Sequence, residues 1–169
     1  MRNPKDTAVS MYHHLKQSAT DQFTWDNFLK GYTSEGYFSC SHQFDYLRQM
    51  KQFEIAHPEH PIKHLHYEDL KQDAVPVIKD LSEFLGVQAS DAFCQDVARA
   101  CGFDNMKRAD ETRDMPDNLK LVSRTKLFLY RKGIVGDWKN TFTVAQSEMF
   151  DDFIANQSKN YFGFTFKGH

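Results

Sequence analysis

Residues 131–148 read RKGIVGDWKNTFTVAQSE, and this stretch decides how the chain is read. Gly133 and Gly136 let the backbone approach a ligand closely, successive N–H groups there can form an anion-binding nest, and Arg131 and Lys132 add charge-assisted bonds. A phosphate suits such a site. From the GxxGxxK spacing alone, a solvated basic turn ahead of a helix is the plainer alternative. Asp137 and Trp138 do not help to hold a phosphate and are expected to shape and pack the loop. Thr143 and Gln146 form a capping box for a last helix that carries Phe150, Phe153 and Ile154.

A second cationic stretch lies at the opposite end, in RNPKDTAVSMYHHL. Asn3 caps a helix with Pro4 at its first position and Asp6 in the first turn, and Ala8, Met11, Tyr12 and Leu15 repeat at helical spacing. Arg2 places a guanidinium beside that helix N-terminus, and Ser10 adds a hydroxyl two turns on. A capped helix with a nearby arginine is common. Two local cationic sites in a chain of net charge −2 nevertheless fit a small ligand with two separated phosphates. An independent domain seldom opens on a capped helix without a preceding strand, so a missing upstream segment is expected.

Between these ends helices dominate. TWDNFLKGYTSEGYFSC reads as a short helix and a Gly- and Ser-rich loop, and Phe44, Leu47 and Lys51 mark the inner face of a helix running to His57-Pro58. HPIKHLHYEDL reads as a short strand ending at Tyr67. Asp73 caps a helix whose stripe is Val77, Ile78, Leu81, Phe84 and Leu85, stopped by Gly86. Ser90 caps the next, with Phe93, Val97 and Cys101 facing inward until Gly102. Lys107 to Tyr130 reads as a long polar loop, a functional cover. A strand followed by helices suits part of a layered α/β domain better than a bundle.

The 169 residues fit one domain, with 40% hydrophobic and 26% charged residues, so a packed core rather than disorder is expected. The slight negative charge excludes a broad nucleic-acid or membrane surface, and no run reaches the roughly 20 apolar residues of a membrane span. Cys40, Cys94 and Cys101, an odd number without a CxxC pair, suit reduced thiols in the cytoplasm. His57 and His60 sit in a proline-broken loop, and His64 and His66 are strand neighbours without an acidic or cysteine partner at a familiar spacing, so no metal is expected. Glu68 and Asp69 suit capping better than acid/base work, and no GxSxG or Walker A lysine motif occurs.

Taken together, these stretches resemble the C-terminal half of a cytosolic sulfotransferase, across nearly the whole chain and in the family's order. That family moves a sulfuryl group from 3′-phosphoadenosine 5′-phosphosulfate (PAPS) to a hydroxyl or amine. RNPKDTAVS resembles the segment whose arginine and serine hold the 3′-phosphate, which implies Arg2 and Ser10. HYEDLKQD resembles the turn whose tyrosine lies by the adenine, implying Tyr67. RKGIVGDWKNTFTVAQSE resembles the family signature, so that Arg131, Lys132 and Gly133 bind the 3′-phosphate. ARACGFDNM keeps Phe103 and Met106 near the adenosine, with Cys101 where many members have threonine, a weaker hydrogen-bonding group. Lys139, Thr143, Val144 and Glu148 match the KxxxTVxxxE segment through which members dimerise.

The resemblance implies a three-layer α/β fold with a parallel sheet, of the P-loop NTPase-like sulfotransferase type, present here as a single partial domain over residues 1–169. With the N-terminal half absent it is expected to be helix-rich with few strands. Its implied ligands are PAPS or its product PAP, a small hydroxyl or amine acceptor, and a second copy of the chain through residues 139–148. The YPKSGTTW-type loop that grips the 5′-phosphosulfate and the family's catalytic histidine do not occur here, so no catalytic residue is assigned and little transferase activity is expected of the chain alone. The alternative is a non-catalytic module that binds PAP or associates with a full-length partner. Lys63, His64 and His66 stand where the family is usually more apolar, so the strand before Tyr67 is expected to be less buried.

Overall fold

Asn3 shows how local chemistry starts the fold. Its side-chain oxygen accepts the N–H groups of Lys5 at 2.9 Å and Asp6 at 3.3 Å, and Pro4 follows at the first helical position, opening α1 (Pro4–Lys16). The computed structural model describes residues 1–17, 19, 22–34, 43–112, 130–158 and 165–167. The chain forms two compact units, Met1–His66 with Val135–His169, and Tyr67–Ile134.

The first unit holds α1, α2 (Trp25–Tyr32), α3 (Gln43–Ala56), a 3₁₀ turn (Asp137–Asn140) and α8 (Val144–Ser158). Its core is aromatic: Tyr12 from α1, Phe28 and Tyr32 from α2, Phe44 from α3, Phe142 and Phe150 from the C-terminal segment are all buried. Rings meet edge-on or offset, as Trp25 with Phe142 at 4.9 Å and Phe142 with Phe150 at 5.4 Å, which adds directional energy to area burial. The expected capping box is present: Gln146 N–H donates to the Thr143 hydroxyl at 3.2 Å, and Thr143 N–H donates to Gln146 Oε1 at 3.0 Å. Gln146 also accepts from Trp25 Nε1 at 3.2 Å and donates to Asp26 at 2.7 Å, so one amide both caps α8 and fastens it to the start of α2.

The second unit holds α4 (Tyr67–Gln72), α5 (Ala74–Phe84), α6 (Asp91–Ala100) and α7 (Phe103–Thr112). Asp73 and Ser90 cap α5 and α6 as expected. Gly86, at φ +70°, ends α5: its N–H donates to Glu83 C=O, and Val87 N–H reaches back to Ser82 C=O at 2.8 Å, the Schellman arrangement.

Three expectations change. Residues 61–66 form no strand, and Tyr67 opens a helix instead of closing a strand. A strand exists only with a ladder partner, and although the amino group of Met1 donates to Leu65 C=O, no strand pairs with this segment among the described residues. Glu68 and Asp69 meanwhile fall in the first turn of α4, where the helix dipole favours them.

The inward face of α6 also differs. Cys94 is fully buried, and with the half-buried Val97 and Ala98 it makes an i, i+3, i+4 face, whereas Phe93 is 56% exposed and Cys101 is exposed. Val97 belongs to both faces, but the buried one is turned toward Cys94 and Ala98 by about half a residue's rotation, and periodicity favoured the larger Phe93. Similarly, Phe84 and Leu85 at the end of the α5 stripe are exposed.

Finally, residues 107–112 belong to α7 and not to a loop; the rest of the expected cover, residues 113–129, and Cys40 lie outside the described residues. Gly102 C=O accepts the Met106 N–H at 2.9 Å, and Arg108 bonds Asn105 at 2.6 Å within the helix. Phe103 and Met106 supply its apolar side, but residues 107–112 read KRADET, whose single apolar residue, Ala109, is too little for a sequence reading to extend the helix.

Candidate functional site

The glycines at 133 and 136 serve two different contacts. Gly136, at φ +80°, donates its N–H to Asp6 Oδ2 at 2.7 Å, and Trp138 N–H donates to Asp6 Oδ1 at 3.0 Å. The nest expected here therefore holds an anion, but that anion is the chain's own buried carboxylate at the start of α1. This corrects the expectation that Gly136 offers free donors to a phosphate. The physical reason is that a buried N–H must be satisfied, and Asp6 satisfies two of them at once.

Lys5 is built in by the same segment. Its ammonium, almost fully buried, donates to Ser147 Oγ and Asp151 Oδ2, each at 2.7 Å, and stands 4.4 Å from the centre of the Trp138 ring. An ion pair, a hydroxyl and a π-face together replace the water it has lost. Asp137 is buried and accepts from Asn140 at 3.1 Å, and Trp138 packs edge-on against Phe142 at 6.0 Å. Asp137 and Trp138 thus shape and pack the loop, as their chemistry suggested.

The residues expected to hold a nucleotide fall in both units. In the first, Arg2 is half-buried, with its backbone carbonyl accepting from Gln43 Nε2 at 3.3 Å, and Ser10 is half-buried on α1. In the second, Phe103 is the centre of a cluster. Gly133, at φ +66°, lies directly on its ring: a Cβ there would come within 2.1 Å of the aromatic carbons. Tyr130 meets Phe103 edge-on at 5.9 Å, and the Lys71 ammonium lies 5.8 Å from the ring centre. Arg131 is half-buried and Lys132 exposed on the strip held by this contact. Tyr67 is half-buried at the start of α4, Cys101 is exposed just after α6, and Met106 is 36% exposed on the first turn of α7. Lys71 was missed in the sequence, where a lone lysine in a polar helix gives no signal.

Lys139, Thr143, Val144 and Glu148 are all exposed, and Val144 reaches 76%. A β-branched side chain at the first position of a helix with that exposure gains nothing from the fold itself. Elsewhere in the first unit, Glu59 Oε1 lies between His57 and His60, a juxtaposition the linear spacing did not reveal, and His64 pairs with Glu54.

The family model described as the sulfotransferase domain matches residues 1–162. Bovine sulfotransferase 1A1 is 32% identical over 158 residues, 92% of this chain and 52% of that protein, and the rat protein of the same name is 34% identical over 89% of this chain and 51% of its own length. The chain therefore spans about half the length of the curated relatives it matches. Among solved structures, mouse sulfotransferase SULT7A1 complexed with PAP superposes with a TM-score of 0.75 at 29% identity, covering 95% of this chain and 57% of that one. Retinol dehydratase in complex with androsterone and PAP superposes at 0.77 with 21% identity, covering 98% and 48%, a likeness of fold. No helix among the described residues is long and apolar enough to cross a membrane.

Proposed function

Because this chain belongs to the sulfotransferase domain family, we propose that it supplies the 3′-phosphoadenosine end of a PAPS site. The observation that carries this reading is the seating of Gly133 on the Phe103 ring. It joins the strip bearing Arg131 and Lys132 to the segment that resembles the family's adenosine contact, within one unit. Arg131, Lys132 and the Gly133 N–H bind the 3′-phosphate, while Tyr67, Phe103 and Met106 flank the adenosine and Cys101 donates weakly beside it. PAP in the mouse relative's structure supports the choice of nucleotide. One family match across both units supports a single partial domain over residues 1–169.

In a complete enzyme the acceptor hydroxyl or amine attacks sulfur, the bond from sulfur to the 5′-phosphate oxygen breaks, PAP leaves, and a base takes the acceptor's proton. This chain contributes donor binding; a 5′-phosphosulfate loop of the YPKSGTTW type and a matching base are not among its residues. Alone it therefore binds PAP and turns over little or no PAPS with a simple phenol, in a cytoplasmic setting and without a metal in the reaction. Calorimetric titration with PAP tests the reading. Arg131→Ala should weaken binding about 10- to 100-fold, the worth of charge-assisted phosphate bonds. Absence of binding in the parent chain, or an unchanged affinity in the variant, refutes it.

The alternative, an association module, draws on Val144. Its 76% exposure, with Lys139, Thr143 and Glu148 exposed as well, suits a second copy of this chain or a full-length partner.

A further inference from the structure

The turn after α3 brings three ligating groups to one point. His57 Nδ1 lies 3.3 Å and His60 Nδ1 3.0 Å from the same carboxylate oxygen, Glu59 Oε1, and the ligand atoms of the three residues all fall within 4.8 Å of one another. His60 N–H donates to His57 C=O at 3.0 Å, closing the turn that sets this spacing, and His57 N–H is the last donor of α3, to Phe53 C=O at 2.8 Å. The Phe53 ring flanks both imidazoles, at 4.5 Å from His57 and 5.9 Å from His60, while the two imidazoles meet edge-on at 5.7 Å. Two imidazoles and a carboxylate are therefore held by a closed turn and an aromatic wall.

A neutral imidazole with its proton on Nε2 turns an Nδ1 lone pair toward Glu59, which is repulsive. Each contact therefore needs either a proton on Nδ1 or one cation that serves both. The distances suit hydrogen bonds and fit a cation equally: a tetrahedral ion with bonds of about 2.0–2.1 Å separates its ligand atoms by about 3.3 Å. The N2O set is that of borderline divalent transition metals, not of calcium or magnesium, which take oxygen ligands.

We propose that His57, Glu59 and His60 form a solvent-facing site for one divalent transition-metal ion of the zinc type, with an open position completed by water. The site uses no residue assigned to nucleotide binding. Glu59 bridges the two rings as the anionic ligand, and Phe53 limits how far either ring can turn away.

Zinc itself is the probe, titrated into the metal-free chain in competition with a chromophoric chelator. The parent chain should take up one equivalent that the double variant His57→Gln/His60→Gln loses. Glu59→Gln should bind at least about tenfold more weakly, since even partners that merely orient a ligand are worth roughly 10–100-fold in metal affinity. His64→Gln should bind as the parent does. These side chains are largely at the surface, so an unchanged far-ultraviolet dichroism spectrum is expected for every variant. Cobalt substitution adds a second readout: absorption of a four-coordinate centre without a sulfur charge-transfer band separates this site from the three cysteines. No uptake by the parent chain, uptake retained by the double variant, or a sulfur-ligated spectrum overturns the proposal.

Discussion

Replacing Asp6 by asparagine changes one atom and tests how the two ends of the chain are joined. The parent carboxylate accepts Gly136 N–H at 2.7 Å and Trp138 N–H at 3.0 Å, and it is almost fully buried at the N-terminus of α1. Asparagine keeps the shape but offers one oxygen and one NH2, so one backbone N–H faces another donor. Leaving a buried donor unsatisfied costs about 1–3 kcal/mol, and losing the negative charge in the first helical turn costs about 0.3–1 kcal/mol more. The total is about 1.3–4 kcal/mol. At about 2–4 °C per kcal/mol for a chain of this length, the melting midpoint should fall by about 3–16 °C. Asp6→Ala strands both N–H groups and should be worse, at about 2–7 kcal/mol. Urea unfolding followed by dichroism, with tryptophan fluorescence reporting on Trp138, measures both variants. If Asp6→Asn stays within about 0.5 kcal/mol of the parent, or destabilises more than Asp6→Ala, the carboxylate is not what holds the 136–138 turn.

Gly133→Ala and Gly136→Ala carry the same left-handed backbone penalty of about 1–2 kcal/mol, but only Gly133 has an aromatic ring where the methyl must go, so it should lose clearly more stability in thermal melts. Equal losses would contradict the close seating on Phe103. Val144→Glu should lower the concentration dependence of the mass measured by light scattering if copies associate through residues 139–148, and an unchanged dependence rejects that surface. Burial pushes the Tyr32 hydroxyl well above its ordinary value. The stability linked to it is complete below about pH 10, where an unfolded tyrosine is neutral, and is lost as pH rises from there toward the folded value. Tyr32→Phe should flatten the alkaline decline in unfolding free energy, and an identical slope would exclude this linkage.

Much of the local structure was legible because caps and glycine stops are short-range chemistry. Asn3, Asp73, Ser90 and the Thr143–Gln146 pair each act within three residues, and Gly86 ends α5 through bonds that span one turn. What misled was longer-range or periodic. The α6 face was misplaced because Phe93 and Cys94 lie on neighbouring faces and only packing on α5 decides between them. The helix at residues 107–112 was missed because KRADET offers only Ala109 as an apolar residue to mark it. The segment at 61–66 read as a strand from its neighbours, but a strand is a property of pairing that one segment cannot carry.

The candidate site divides in the same way. The residue types at 131–133 and their family pattern were plain in the order of the letters. The partner of each was not: Phe103 beneath Gly133, Lys71 beside that ring, and Glu59 between two histidines all depend on the folded chain.

By itself, the order of amino acids determined where the capped helices α1, α5, α6 and α8 begin and which family of folds they serve, because capping, turn chemistry and motif spacing act along the chain. Folding in three dimensions alone decided that the Gly136 nest receives Asp6 and not a ligand, and that Lys5 is sealed against Trp138. Desolvation is the reason: once water is excluded, each buried donor and charge must take whichever partner the packing brings within reach, and no local rule names that partner.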